Sequence, residues 1–190
     1  AGVPELRQQI ARKVAELYGC NVNPDTEITV TPGATEALFC AITAVVQPGD
    51  EVIVFDPAYD TYDPAVTLNG AICRHIPMTC PDFRIDWQRL RDTVNERTRL
   101  IILNTPHNPS GTCLTAGDLA ELRDIVRKRN VFLLSDEVYE HLVFDQKPHL
   151  SILSDAELAA RSFAVFSFGK TFHATGWRVG YCVAPVALMS

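Results

Sequence analysis

The sequence predicts an α/β fold, a mostly parallel sheet with helices on both faces, on three observations. Apolar runs such as "EVIVFD" and "LIILNT" have the length and near-continuous hydrophobicity of strands buried on both sides. Segments of helical period lie between them. Gly, Pro and Asp clusters mark the joins.

Taken in order, "VPELRQQIARKVAELYG" places Leu6, Ile10, Val14 and Leu17 on one helical face and stops at Gly19, a natural C-cap. "EITVT" and "EVIVFD" read as strands flanking the helix "TEALFCAITAVV", which "PGD" terminates. "LIILNT" is the next strand, and a helix runs from about Thr115 to Arg129. "VFLLSD", "FAVFSF" and "GYCVAP" complete the strands. No repeat, low-complexity tract or linker interrupts the series, so residues 1–190 form one domain. The chain lacks an initiating Met, opens almost directly into a helix and closes on "APVALMS" as another helix begins. The expectation is a piece of a longer protein.

With 190 residues, 47% of them hydrophobic, the chain can bury a substantial core. A net charge of −6 with dispersed Lys and Arg gives no footprint for nucleic acid or an anionic membrane. No apolar run approaches the roughly 20 residues of a membrane span, and no basic-then-apolar leader precedes the first helix, so a cytoplasmic location is expected. Cys20, Cys40, Cys73, Cys80, Cys113 and Cys182 are irregularly spaced within apolar segments, which points to reduced, buried thiols. Cys73, His75 and Cys80 match no usual zinc spacing, and no metal is expected.

In an open α/β sheet, ligands bind beyond the carboxyl ends of the strands. After "EITVT", Gly33 permits close backbone approach, and the free N–H groups of Ala34 and Thr35 open a helix suited to phosphate. After "EVIVFD" comes Tyr59, a flat surface; after "LIILNT", Asn108 in a proline-rigid turn. "VFLLS" is followed by Asp136 and Tyr139, and "FAVF" by Ser167, Lys170 and then Arg178. Each has an ordinary reading as a cap, a turn residue or a solvated lysine. Together they supply a phosphate cradle, an aromatic face, a carboxylate, a phenol, an amide and an amine. Pyridoxal phosphate requires that set.

The roles follow from chemistry. Lys170 condenses with the cofactor aldehyde as a Schiff base, which needs a neutral amine and hence burial or a nearby cation. Asp136 pairs with the pyridine nitrogen and keeps the ring an electron sink. Tyr139 and Asn108 donate to the ring phenolate oxygen, and Tyr59 stacks on the ring. Ser167, Arg178, Ala34 and Thr35 bind the phosphate, Arg178 as a bidentate fork. His107 borders the site, whereas His75, His141, His149 and His173 are structural or solvated.

The motifs "PGATEAL", "DPAYDTY", "NTPHNPSG", "SDEVYEH" and "SFGKTFHATGWRVGY", in this order and spacing, resemble the fold-type I, class I/II aminotransferases, above all their methionine and kynurenine branch. The resemblance spans essentially the whole chain. It implies transamination from a methionine-like, aromatic or kynurenine-like amino acid to a 2-oxo acid, with Lys170 also shuttling a proton to and from the substrate Cα. It further implies that residues 1–190 are the cofactor-binding large domain. An N-terminal segment with a tyrosine for the neighbouring subunit's phosphate, and a small domain with the carboxylate-binding arginine, are then missing. The intact protein is implied to be a homodimer, and this chain alone a poor catalyst. A β-lyase would share the cofactor residues. The S-x-x-K of penicillin-binding proteins, matched by Ser167 to Lys170, needs S-D-N and K-T-G elements that are absent. A noncatalytic cofactor-binding module is disfavoured by the intact lysine.

Overall fold

The computed structural model describes residues 1–189. Helix α1 (Pro4–Tyr18) starts with a proline in its first turn and ends at Gly19 in the left-handed region, as expected. Its buried stripe is Ile10, Val14 and Tyr18. Leu17, expected on that face, is exposed: the contact line drifts around the helix from Leu6 to Tyr18 as α1 crosses the sheet.

Strand β1 (Ile28–Thr31) leads through Gly33 into α2 (Ala34–Val45), and β2 (Glu51–Asp56) follows. Next come α3 (Tyr62–Leu68), β3 (Ile72–Pro77) and α4 (Trp87–Thr93), three elements the sequence did not announce. Strand β4 (Thr98–Asn104) precedes α5 (Ala116–Val126), which opens on a capping box between Thr115 and Asp118. It stops short of the expected Arg129, because the Arg161 guanidinium donates to the carbonyls of Val126 and Arg129 and closes that end. Strand β5 (Phe132–Asp136), the short α6 (Ala156–Ala159), β6 (Ser162–Ser167), the single-turn α7 (Phe168–Thr171), β7 (Gly180–Val183) and α8 (Val186–Met189) complete the order.

The seven strands form one sheet in the order β1-β7-β6-β5-β4-β2-β3. The β3, β2, β4, β5 and β6 pairings are parallel; β7 runs antiparallel to both β6 and β1. Alternate strand residues feed two cores. Ile53, Phe55, Ile101 and Leu103 pack with α1, α4 and α5, while Val52, Val54, Leu100 and Ile102 pack with α2 and α3. The sheet is therefore covered on both faces, as predicted. Of the six cysteines, all reduced, only Cys182 is buried; Cys40 and Cys80 are exposed, on the outer side of α2 and in a loop. Among the described residues, no helix is long and apolar enough to cross a membrane.

Candidate active site

Because β7 runs opposite to its neighbours, its N-terminal end lies at the same sheet edge as the carboxyl ends of β4, β5 and β6. Ser167 faces Gly180 across β6 and β7, and Asn104 faces Asp136 across β4 and β5. A cavity of about 240 Å³ opens at this edge. Nine of the ten residues expected from the sequence line it; the tenth, Gly33, lies directly behind Arg178.

One end of the cavity is built for an anion. Gly33, the N-cap of α2, has φ 87° and ψ 163°, and no side chain caps the helix. The first N–H groups of α2 are thereby left to a ligand. A Cβ on Gly33 would sit 2.6 Å from Arg178 Nη2, so only glycine lets the guanidinium lie over the helix start. Arg178 itself has φ 53°, a left-handed conformation that turns the chain into β7. Gly180 admits the same close packing, since its Cβ would meet Ala34 N at 2.5 Å. Ser167 is at once the last residue of β6 and the N-cap of α7, and its hydroxyl caps nothing. Ala34, Thr35, Ser167 and Arg178 thus converge on one end.

The cavity also holds a buried acid. Asp136, 3% exposed, ends β5. Its Oδ2 accepts the Tyr62 hydroxyl at 2.7 Å and its Oδ1 the Val138 N–H at 3.3 Å. Burial pushes the carboxyl up to about 6, against the lowering effect of those two donors. Behind it, Glu137 accepts Ser135 Oγ at 2.8 Å, the Ile152 N–H at 2.9 Å and His149 at 2.7 Å. Glu140 pairs with Lys13 and Tyr18. These buried bonds fix the turn that carries Asp136 and Tyr139.

Lys170 Nζ lies 5.6 Å from the Tyr139 ring centroid. Lys170 is exposed, so the burial expected of it is not found; it lines the cavity together with Arg178. Tyr59 packs edge-on to Tyr62 at 5.7 Å. The Asn108 N–H donates to Asn104 Oδ1 at 2.7 Å, and Asn104 Nδ2 to the Asp136 carbonyl at 3.0 Å, tying the proline turn to β5. His107 lies outside the cavity lining and binds the Pro57 carbonyl at 3.0 Å and Ser110 at 2.7 Å, a fastener between two turns.

Sequence reasoning missed Tyr62, Asn104 and Thr175. Asn104 ends the run "LIILN" and was visible as a strand-end polar residue. Tyr62 carried no such signal, because it belongs to a helix that had not been anticipated. The arrangement suits a ligand that offers an anionic group to the helix start and Arg178 and a cationic or donor nitrogen to Asp136, with the Lys170 amine lining the same cavity.

The sequence model "Aminotransferase class I and II" matches residues 1–190. The chain is 53% identical over 187 residues to methionine aminotransferase of Escherichia coli, covering 98% of this chain and 48% of that protein. It is 37% identical over 194 residues to kynurenine–oxoglutarate transaminase 3 of Rattus norvegicus, covering 97% and 43%. Among solved structures, an Escherichia coli protein whose structure and reactivity identified a methionine aminotransferase function superposes with a TM-score of 0.97 at 53% identity, over 99% of this chain and 50% of that one. The aromatic aminotransferase of Pyrococcus horikoshii gives 0.95 at 39% identity, over 99% and 51%. The chain spans about half the length of the curated relatives it matches.

Proposed function

The chain belongs to the class I and II aminotransferase family, and from that premise we propose that its cavity holds pyridoxal 5′-phosphate and that the protein moves an amino group from an amino acid to a 2-oxo acid. The observation that carries this reading is the convergence of a buried carboxylate, a lysine amine and an uncapped helix start beneath an arginine in one cavity. The fit is chemical as well as spatial. Gly33 leaves no room for a side chain between helix and guanidinium, as a phosphate bound by both requires. Asp136 ionises near pH 6 and is therefore an anion at neutral pH, ready for a protonated ring nitrogen.

When bound, pyridoxal phosphate supplies an aldehyde that condenses with amines and a ring that spreads negative charge developing at an amino-acid Cα. The rest falls to the chain. Ala34, Thr35, Ser167 and Arg178 would hold the phosphate and fix the ligand lengthwise. Tyr59 would set the ring plane. Asp136 would hold the proton on the ring nitrogen, and Tyr62 and Val138 N–H would hold Asp136. Tyr139 and Asn108 would bind the ring oxygen. Lys170 would anchor the cofactor and, once released by the substrate amine, take the proton from the substrate Cα and return it. Residues 1–190 act in this reading as the cofactor-binding large domain, and methionine heads the amino donors because the methionine aminotransferase named above shares 53% identity.

Borohydride reduction of the cofactor-loaded protein, followed by peptide mass mapping, tests the assignment. The mass of a reduced pyridoxyl phosphate group is expected on Lys170 and its loss in Lys170→Ala. The group on another lysine of the untreated sequence would contradict it.

A further inference from the structure

A second cluster of ligating side chains lies outside the cavity, at the β3 edge of the sheet. Cys73 and His75 are two residues apart on β3 and so share a face. Asp63, in the first turn of α3, reaches them, and one ligating atom from each of the three lies within 4.8 Å of the others. His75 Nε2 is 3.5 Å from Asp63 Oδ2. In a tetrahedral zinc site, nitrogen and oxygen ligands at their usual bond lengths stand about 3.4 Å apart. The protein already holds these two atoms at that separation.

The other face of the imidazole is also committed. His75 Nδ1 lies 2.9 Å from Asp56 Oδ1, at the end of β2. A carboxylate only accepts, so Nδ1 is the donor in that contact, and Nε2 is the ring nitrogen on the Asp63 side. Metal-binding histidines are held by such a carboxylate behind the ring. Among the described residues, neither Asp56 nor Asp63 pairs with a lysine or arginine; His75 is the one basic group each meets. The cluster is short of positive charge.

We propose that Asp63, Cys73 and His75 form a site for a zinc-class divalent cation, with Asp56 orienting His75 and a water in the fourth position. A sulfur, a nitrogen and an oxygen ligand suit this borderline-soft ion better than magnesium or calcium, which favour oxygen alone. Asp63 and His75 are partly exposed, so the ion enters from solvent and a coordination position stays open. The site is independent of the cofactor reading, although Asp63 directly follows Tyr62, the residue that holds Asp136. The competing arrangement is a protonated His75 shared between two aspartates, with Cys73 a bystander.

Cobalt(II) separates the two. The reduced, oxygen-free protein is titrated with Co²⁺ while the tetrahedral d–d bands and the sulfur-to-cobalt charge-transfer band are recorded, and Zn²⁺ is then added. One equivalent of Co²⁺ is expected to bind and one of Zn²⁺ to displace it. The charge-transfer band should vanish in Cys73→Ser and persist in Cys80→Ser, an exposed thiol away from the cluster. His75→Ala and Asp63→Asn should each weaken binding at least tenfold, and Asp56→Asn about tenfold, as for a ligand's supporting carboxylate. Both of the first two replace partly exposed side chains and decide the matter if Cys73→Ser does not fold. Absence of a thiolate band, or a band unaffected by His75→Ala and Asp63→Asn, would overturn the site.

Discussion

Asp136 is 3% exposed, and burial lifts its carboxyl from 3.8 to about 6. The folded state therefore holds that proton more tightly than the unfolded chain. Stability contributed by the protonated form is complete below pH 3.8 and declines as pH rises through 6, so at neutral pH the ionised carboxylate costs the fold roughly 3 kcal/mol. A protein retains such a cost where the charge has a use. Asp136→Asn keeps the acceptor for Tyr62 and removes the charge. The cofactor-free variant is expected to melt higher than wild type at pH 7.5 and to match it below pH 4, while amino transfer falls by ~10²-fold or more, the scale of losing a charge aimed at the reacting centre. Thermal melts across pH and single-turnover rates check both halves; equal melting at pH 7.5 would contradict the account. Asp136 was legible in the sequence because it closes an apolar strand. Its partner Tyr62 was not, since a tyrosine within "DTYDPAV" carries no mark of facing inward.

Elements differed in how openly the sequence declared them. The central strands β2, β4, β5 and β6 are buried on both faces and read as unbroken apolar runs. Strand β3 is an edge: only Ile76 of "ICRHIP" is buried, so neither alternation nor a continuous run betrays it. Helices α3 and α4 have seven residues each, too few for a period to stand out. The reversal of β7 was likewise invisible, because direction depends on the connection through residues 168–179 and not on the apolar content of "GYCV". Yet α3 has a specific task, to carry Tyr62, 3% exposed, across to Asp136. Tyr62→Phe removes a donor that favours the ionised carboxylate. The Asp136 titration, followed by the infrared carboxyl band in cofactor-free protein, should move to higher pH. Amino transfer should drop about tenfold or more, in keeping with the ~1.5–3 kcal/mol of a hydrogen bond to a charged group. An unmoved titration would mean that α3 packs beside Asp136 without supporting it.

Across the whole molecule, the sheet edge gathers groups from residues 33 to 178, in short clusters far apart in sequence. Strand ends, an uncapped helix and a left-handed turn at Arg178 bring them together. In the segment that links Lys170 to Arg178, Phe172 and Trp177 are 66% and 82% exposed. In the proposed function, this edge holds pyridoxal phosphate for amino transfer. Its most direct test is a half-reaction: the cofactor-loaded protein is mixed with L-methionine in the absence of any 2-oxo acid, and the products are quantified by mass spectrometry. One equivalent of pyridoxamine phosphate and one of the methionine-derived 2-oxo acid per site are predicted, with neither formed by Lys170→Ala. Release of ammonia with the cofactor unchanged, or equal yields from Lys170→Ala, would contradict the account.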